Sequence, residues 1–221
     1  PADAKPVIAM KISEAARAWR EPDYPARVEA VAKTLAAGNA FTEEALAFAI
    51  NQQMNQLRPD RLQAAPPSAA ARTVGVLNRG AAPLDGLSDL VAVLLAGHRY
   101  VGTVPEASPY LLPAFVDEVR RHDPALPVRF VDEAALFDAL FGAVDALVAR
   151  GVDEPEEVAE RADAAGIPAA RRLVRGARYG VALIDGQEGS DELERLAEDA
   201  LLHEGRSERN VALVWAPRDL S

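Results

Sequence analysis

A chain of 221 residues without a single cysteine has no thiolate for nucleophilic attack, no sulfur for zinc and no disulfide framework. Whatever chemistry it does, it does without a thiol. The three histidines, His98, His122 and His203, share no ligand spacing and fall near helix ends or just before a strand, so no metal is assigned. Ser207 has no evident base beside it, and the chain holds no GxSxG elbow, Walker loop or GxGxxG fingerprint. Gly151 stands where a strand should give way to a helix beginning near Pro155, a place where free amides can meet a phosphate. Asp153 and Glu154 beside it would repel one.

The elements that would position these residues fall into two parts. Residues 1–62 read as helical: Ile8, Ile12 and Ala16 form one apolar stripe, Val28, Val31, Ala32 and Leu35 a second, and Leu46, Ile50, Met54 and Leu57 a third. Thr42 is the expected cap of the third helix, with Glu43 and Glu44 in its first turn complementing the macrodipole. Residues 63–72, with Pro66-Pro67, read as a linker. From residue 73 to 221, short β-rich runs alternate with helical stretches, the pattern of a parallel sheet with crossover helices. Strands are expected at 73–77, 100–104, 128–131, 146–149, 181–184 and 211–215. Ser88, Ser108, Asp132 and Ser190 are the expected helix caps, the last opening a helix that should bury Leu193, Leu196, Ala197, Ala200 and Leu201. The predicted fold class is therefore α/β, a Rossmann-like parallel sheet preceded by a helical segment. In such sheets ligands bind beyond the carboxyl ends of the strands, so the loops at 78–86, 104–108, 150–155, 185–189 and 217–221 are where a site belongs.

Composition narrows the partners. The net charge of -10, with only 5% aromatic residues, argues against nucleic acid, which needs a basic face or stacking platforms. The longest apolar run, residues 90–96, is too short to cross a bilayer, and the N-terminus lacks the regions of a signal peptide. A cytoplasmic location is expected. Pro1 rather than Met opens the chain, consistent with processing or with a piece of something longer.

Several strand-end stretches, taken in order, resemble the fatty acyl-CoA reductases of bacterial bioluminescence, within the aldehyde dehydrogenase superfamily. Gly80-Ala-Ala-Pro-Leu-Asp-Gly86, followed by Leu94-Leu-Ala-Gly-His-Arg99 and Tyr110-Leu-Leu-Pro113, is similar to that family's Gly-Asn-Ile-Pro-Leu segment and its Ser-Gly-His-Lys. Val181-Ala-Leu-Ile-Asp-Gly-Gln-Glu188, with the acidic helix after it, resembles the strand and helix before the family's nucleophile. Arg209-Asn-Val211 and Pro217 match the stretch just after that nucleophile, and Tyr24-Pro25 with Phe41-Thr42-Glu43 resembles the family's helical leader. The likeness covers the leader and most of the nucleotide-fold half.

What the resemblance implies is reduction of an acyl-CoA by NADPH through an acyl thioester. The positions that would carry that chemistry are altered. The family's Cys position holds Glu208, and its oxyanion-binding Asn aligns with Ala81. On the cofactor side, the Lys expected to hold the adenosine ribose aligns with Thr103, and the Gly-Ser turn with Gly151-Val152; Gly186 completes the matched set. A carboxylate cannot carry an acyl group to hydride reduction as a thiolate can. Removal of an oxyanion donor costs about 3–4 kcal/mol of transition-state stabilisation. The expectation is an acyl-CoA reductase-like protein without catalysis, acting by binding or interaction, with NADP doubtful as cofactor and acyl-CoA, a nucleotide, a protein partner or a second copy as its possible ligands. The alternative is an active NADPH-dependent reductase or aldehyde dehydrogenase whose catalytic part lies outside this chain.

Overall fold

The structure, a computed structural model, describes residues 4–38, 41–62, 70–205 and 210–217. Three helices come first: α1 (Ala4–Arg20), α2 (Pro25–Ala36) and α3 (Glu43–Gln56). Pro25 opens α2, where its fixed φ suits a helix start. Thr42 caps α3 as its sequence predicts, its hydroxyl accepting from the Ala45 amide at 3.1 Å. The buried Arg27 joins the three, its guanidinium donating to the Trp19 carbonyl at 2.8 Å and to Asn51 Oδ1 at 2.9 Å. The expected linker overlaps residues 63–69, outside the described residues.

The parallel sheet comes next. Strands β1 (Thr73–Asn78), β2 (Arg99–Gly102), β3 (Val128–Phe130), β4 (Ala146–Val152) and β5 (Arg172–Gly176) pair in parallel in the order β3-β2-β1-β4-β5. Helices α4 (Leu87–Leu95), α5 (Leu111–His122), α6 (Glu133–Leu140) and α7 (Pro155–Ala164) make the crossovers. The central strand β1 is apolar and buried along nearly its whole length, as a strand covered on both faces must be. On one face Trp19, Ile12, Ile50 and Met54 of the leading helices share a core with Leu84, Leu90 and Phe115; the Trp19 and Phe115 rings meet edge to face at 5.4 Å. On the other, Leu77, Leu136, Leu140, Val152 and Val158 form a second core.

Beyond it, β6 (Gly180–Leu183), α8 (Ser190–Leu201) and β7 (Val211–Trp215) form a separate unit, with β6 and β7 paired in parallel.

The predicted α/β class with a parallel sheet and crossover helices is what the structure shows, but several local expectations need correction. Gly86, Tyr110 and Gly189 occupy the cap positions expected for Ser88, Ser108 and Ser190. Ser88 instead accepts from Arg150 Nη1 at 3.2 Å, Ser108 is fully buried, and Ser190 is the first residue of its helix. Strand β5 is absent from the sequence expectation: it carries Arg172 and Arg175, and its half-buried pattern lacks a clean apolar face. Arg172 is spent on the connection before it, donating to the carbonyls of Ile167 and Ala159 at 2.6 and 3.1 Å. The apolar stripe of α8 is not buried: Leu193 is 44% and Leu201 72% exposed.

Candidate functional site

The loops beyond the carboxyl ends of β1, β2 and β3, with the end of α2, enclose a cleft of about 710 Å³ lined by Gly38, Asn78, Arg79, Gly80, Ala81, Thr103, Glu106, Asp132 and Glu133, among others. Strand order reverses direction between β1 and β4, the position at which open α/β sheets bind ligands. There the two loops are in contact. The Arg79 amide donates to the Arg150 carbonyl at 3.2 Å. Gly151 has φ +64°, and a Cβ on it would lie 3.2 Å from the Arg79 carbonyl. Glycine is needed here for backbone conformation and for close approach to the first loop.

That first loop satisfies several of its own donors. The Gly80 amide donates to Asn78 Oδ1 at 3.0 Å and the Ala82 amide to Asp85 Oδ2 at 2.8 Å. Asn78 Nδ2 donates to the Asp85 carbonyl at 2.7 Å. Asn78, 4% exposed, holds the turn shut from within. Ala81 lies on this loop and lines the cleft with a methyl group only. Thr103, the position matched to the ribose-binding Lys, is 7% exposed and turned into the sheet: its hydroxyl accepts from the Asn78 amide at 2.8 Å and donates to the Asn78 carbonyl at 3.2 Å. It fastens the end of β2 to the end of β1. Val152 is fully buried in the second core, so its side chain packs rather than facing a ligand.

Charge in the cleft is arranged in the same way. Arg79 is the sole Lys or Arg among the described residues lining it, and Glu133 holds it by two bonds, Nε to Oε2 at 3.1 Å and Nη2 to Oε1 at 2.5 Å. This pair raises the Arg79 pKa, with Asp153 and Glu157 adding to it from α7 and the turn before it. Asp132 caps α6, accepting from the Ala135 amide at 2.8 Å, so its carboxylate already occupies the amide end of that helix. The turn holding Gly186 is filled likewise. Glu188 accepts from the amides of Asp185 at 2.8 Å and Gly186 at 2.9 Å, and these bonds hold its carboxyl below the usual range. Such a turn of successive amides is an anion seat, and here the anion is the chain's own.

Thus Ala81 and Thr103 come to one cleft, with Gly151 behind its floor, while Gly186 belongs to the separate β6–β7 unit. Glu208 lies outside the described residues. Nearby Asn210 is buried and donates to the carbonyls of Asp199 and Leu202 at 2.8 and 2.7 Å, closing the end of α8.

Sequence reasoning does not single out Arg79 and Glu133; only the fold brings residues 54 apart in sequence together. His203, assigned no role from the sequence, lines a second cleft of about 670 Å³. The walls of that cleft are α3 (Gln52, Gln53, Gln56), the loop at 82–88 and Arg150. The His203 ring packs edge to face on Phe41 at 6.1 Å. Among the described residues its Nδ1 is buried without a hydrogen-bond partner, and burial lowers its pKa. The floor, with Leu57, Leu84, Leu87, Val91 and Leu95, is apolar. Among the described residues no group of three or more His, Asp or Glu is arranged to hold a metal, and no helix is long and apolar enough to cross a membrane.

No protein-family model matches the chain, and no curated protein is significantly similar to it in sequence. Solved structures do match. An oxidoreductase from Marinobacter aquaeolei superposes with a TM-score of 0.73 at 12% identity, covering 100% of this chain and 49% of its own. An aldehyde dehydrogenase from Bacillus cereus, solved as an NAD+ complex, gives 0.68 at 16% identity, covering 97% and 47%. An NAD-dependent benzaldehyde dehydrogenase from Corynebacterium glutamicum gives 0.67 at 17% identity, covering 98% and 51%. The chain spans about half the length of these proteins. Its fold is aldehyde dehydrogenase-like.

Proposed function

We propose that this chain is a non-catalytic relative of the acyl-CoA reductases, built on the nucleotide-binding half of an aldehyde dehydrogenase-like fold and acting by binding or interaction rather than by turnover. The observation that carries this reading is the internal occupation of the cleft. In the loop after β1 the Gly80 and Ala82 amides are bonded to Asn78 and Asp85, and the Arg79 guanidinium at the cleft wall is bonded to Glu133. Hydrogen-bond donors stabilise a charge only if they are aimed at it and free to receive it. Around Arg79 the flanking charges are acidic, and Thr103, in place of a long cation, is committed to the sheet. These residues do not fit NADP or NAD. Glu208, at the position matched to the nucleophilic Cys, supplies no thiolate.

The ligand surface that remains is the second cleft. Its apolar floor, glutamine-bearing rim and His203 suit an amphipathic ligand of acyl type, such as the pantetheine end or acyl chain of an acyl-CoA. A second reading draws on length. The solved structures it matches are about twice as long, which leaves room for an active reductase whose catalytic residues lie outside these 221.

Steady-state assay of acyl-CoA reduction with NADPH tests the non-catalytic reading. The expected result is no turnover above the uncatalysed rate, unchanged by Glu208→Gln. Turnover that Glu208→Gln abolishes would overturn the non-catalytic reading.

A further inference from the structure

Resting on that reading of the 710 Å³ cleft as a nucleotide-type cleft closed to anions, we infer that Arg79 is a phosphate-binding site held self-occupied by Glu133. Arg79 comes directly after the last residue of the central strand, and its backbone is fixed by the amide bond to Arg150 and by the close approach of Gly151. Its guanidinium stands at the cleft wall on a rigid support rather than on a wandering loop. Guanidinium recognises carboxylate and phosphate through the same planar fork, and Glu133 engages that fork with both oxygens. A phosphoryl group entering the cleft meets the same donors in the same plane and competes directly with this carboxylate.

The two side chains are each 40% exposed. Pairs that accessible hold each other only weakly against water, so the Glu133 carboxylate can be displaced without unfolding α6. Its larger effect is repulsion, because a carboxylate left beside an incoming phosphate opposes it at close range. Asp153 and Glu157 also lie within electrostatic reach of Arg79, but among the described residues the hydrogen bonds from its Nε and Nη2 go to Glu133. The ligand class is an exposed phosphate or diphosphate. Glu133 is the residue that decides whether it is admitted.

Isothermal titration of the whole chain with ADP and, separately, inorganic pyrophosphate tests this. Wild type should give no saturable binding. Glu133→Gln should bind both with roughly tenfold gain or more, the scale expected on removing a like charge at close range. Glu133→Ala should show the same gain, and Arg79→Gln/Glu133→Gln should lose it. A melting curve for each variant checks its fold. No gain in both folded Glu133 variants, or a gain that survives loss of Arg79, overturns the inference. Tight binding of ADP by wild type is a different failure: it would overturn the reading of the cleft as closed.

Discussion

Thr103 shows how a residue that sequence reasoning sends toward a ligand can be taken by the fold. Its hydroxyl is both acceptor and donor for the Asn78 backbone, and neither atom is left for a cofactor. Thr103→Val keeps the shape and removes the hydroxyl, leaving the buried Asn78 amide without its partner. Leaving a buried donor unpaired costs about 1–3 kcal/mol. Chemical denaturation should show a loss of that size, with the residual ligand affinities of the chain unchanged. An unaltered midpoint would mean that the clamp between β1 and β2 is not structural. The candidate positions themselves are partly legible in the sequence. Ala81 and Thr103 fall on loops that the fold brings to one cleft, and Gly151 at a turn where glycine is required. Arg79 and Glu133 are not legible, because their meeting depends on strand order and on neither local spacing nor pattern.

Among the elements, those with strong periodic patterns are readable and those made by context are not. The stripes of α1 and α3 and the run of β1 end in the core because each carries its apolar residues at the spacing of its own geometry, whereas in α2 the expected stripe turns partly outward, Val28 being 48% exposed, and Arg27, Ala30 and Thr34 are the buried residues. β5 escapes because its arginines break the pattern and serve the preceding turn. The caps shift because Gly86, at φ +84°, and Gly189 take the cap positions before the serines do. Burial of α8 is the natural expectation from an amphipathic pattern, which gives the spacing of apolar residues but not the surface that covers them. At the junction of α8 with the leading helices, His203 rests on Phe41, and burial lowers its pKa. The unfolded chain then binds a proton more readily than the folded one. This contribution to stability is present above the ordinary imidazole value of about 6.5 and is lost as pH falls through it toward the folded value. Melting temperatures of wild type should therefore decline more between neutral and mildly acidic pH than those of His203→Gln. Parallel declines in the two proteins would contradict a buried neutral imidazole.

Taken whole, the molecule carries the sheet and crossovers of an aldehyde dehydrogenase-like fold over about half the length of the proteins it resembles. Its five-stranded sheet is packed on both faces, whereas β6 and β7 leave Val181, Leu183 and Trp215 at 51%, 79% and 63% exposure. Its charge of -10 has a structural counterpart: carboxylates of the chain sit at the amide turns, helix starts and guanidinium where an anionic ligand would bind. On the proposed reading, the fold is kept while the anion-binding positions of its strand-end loops are satisfied internally. Direct titration of the wild-type chain with NADPH, monitored by the fluorescence of the reduced nicotinamide, tests this claim most directly. The account predicts no saturable change at concentrations where a working dehydrogenase site is filled. A saturable signal with a Kd tighter than roughly 10 μM, about -7 kcal/mol of binding free energy, would contradict it.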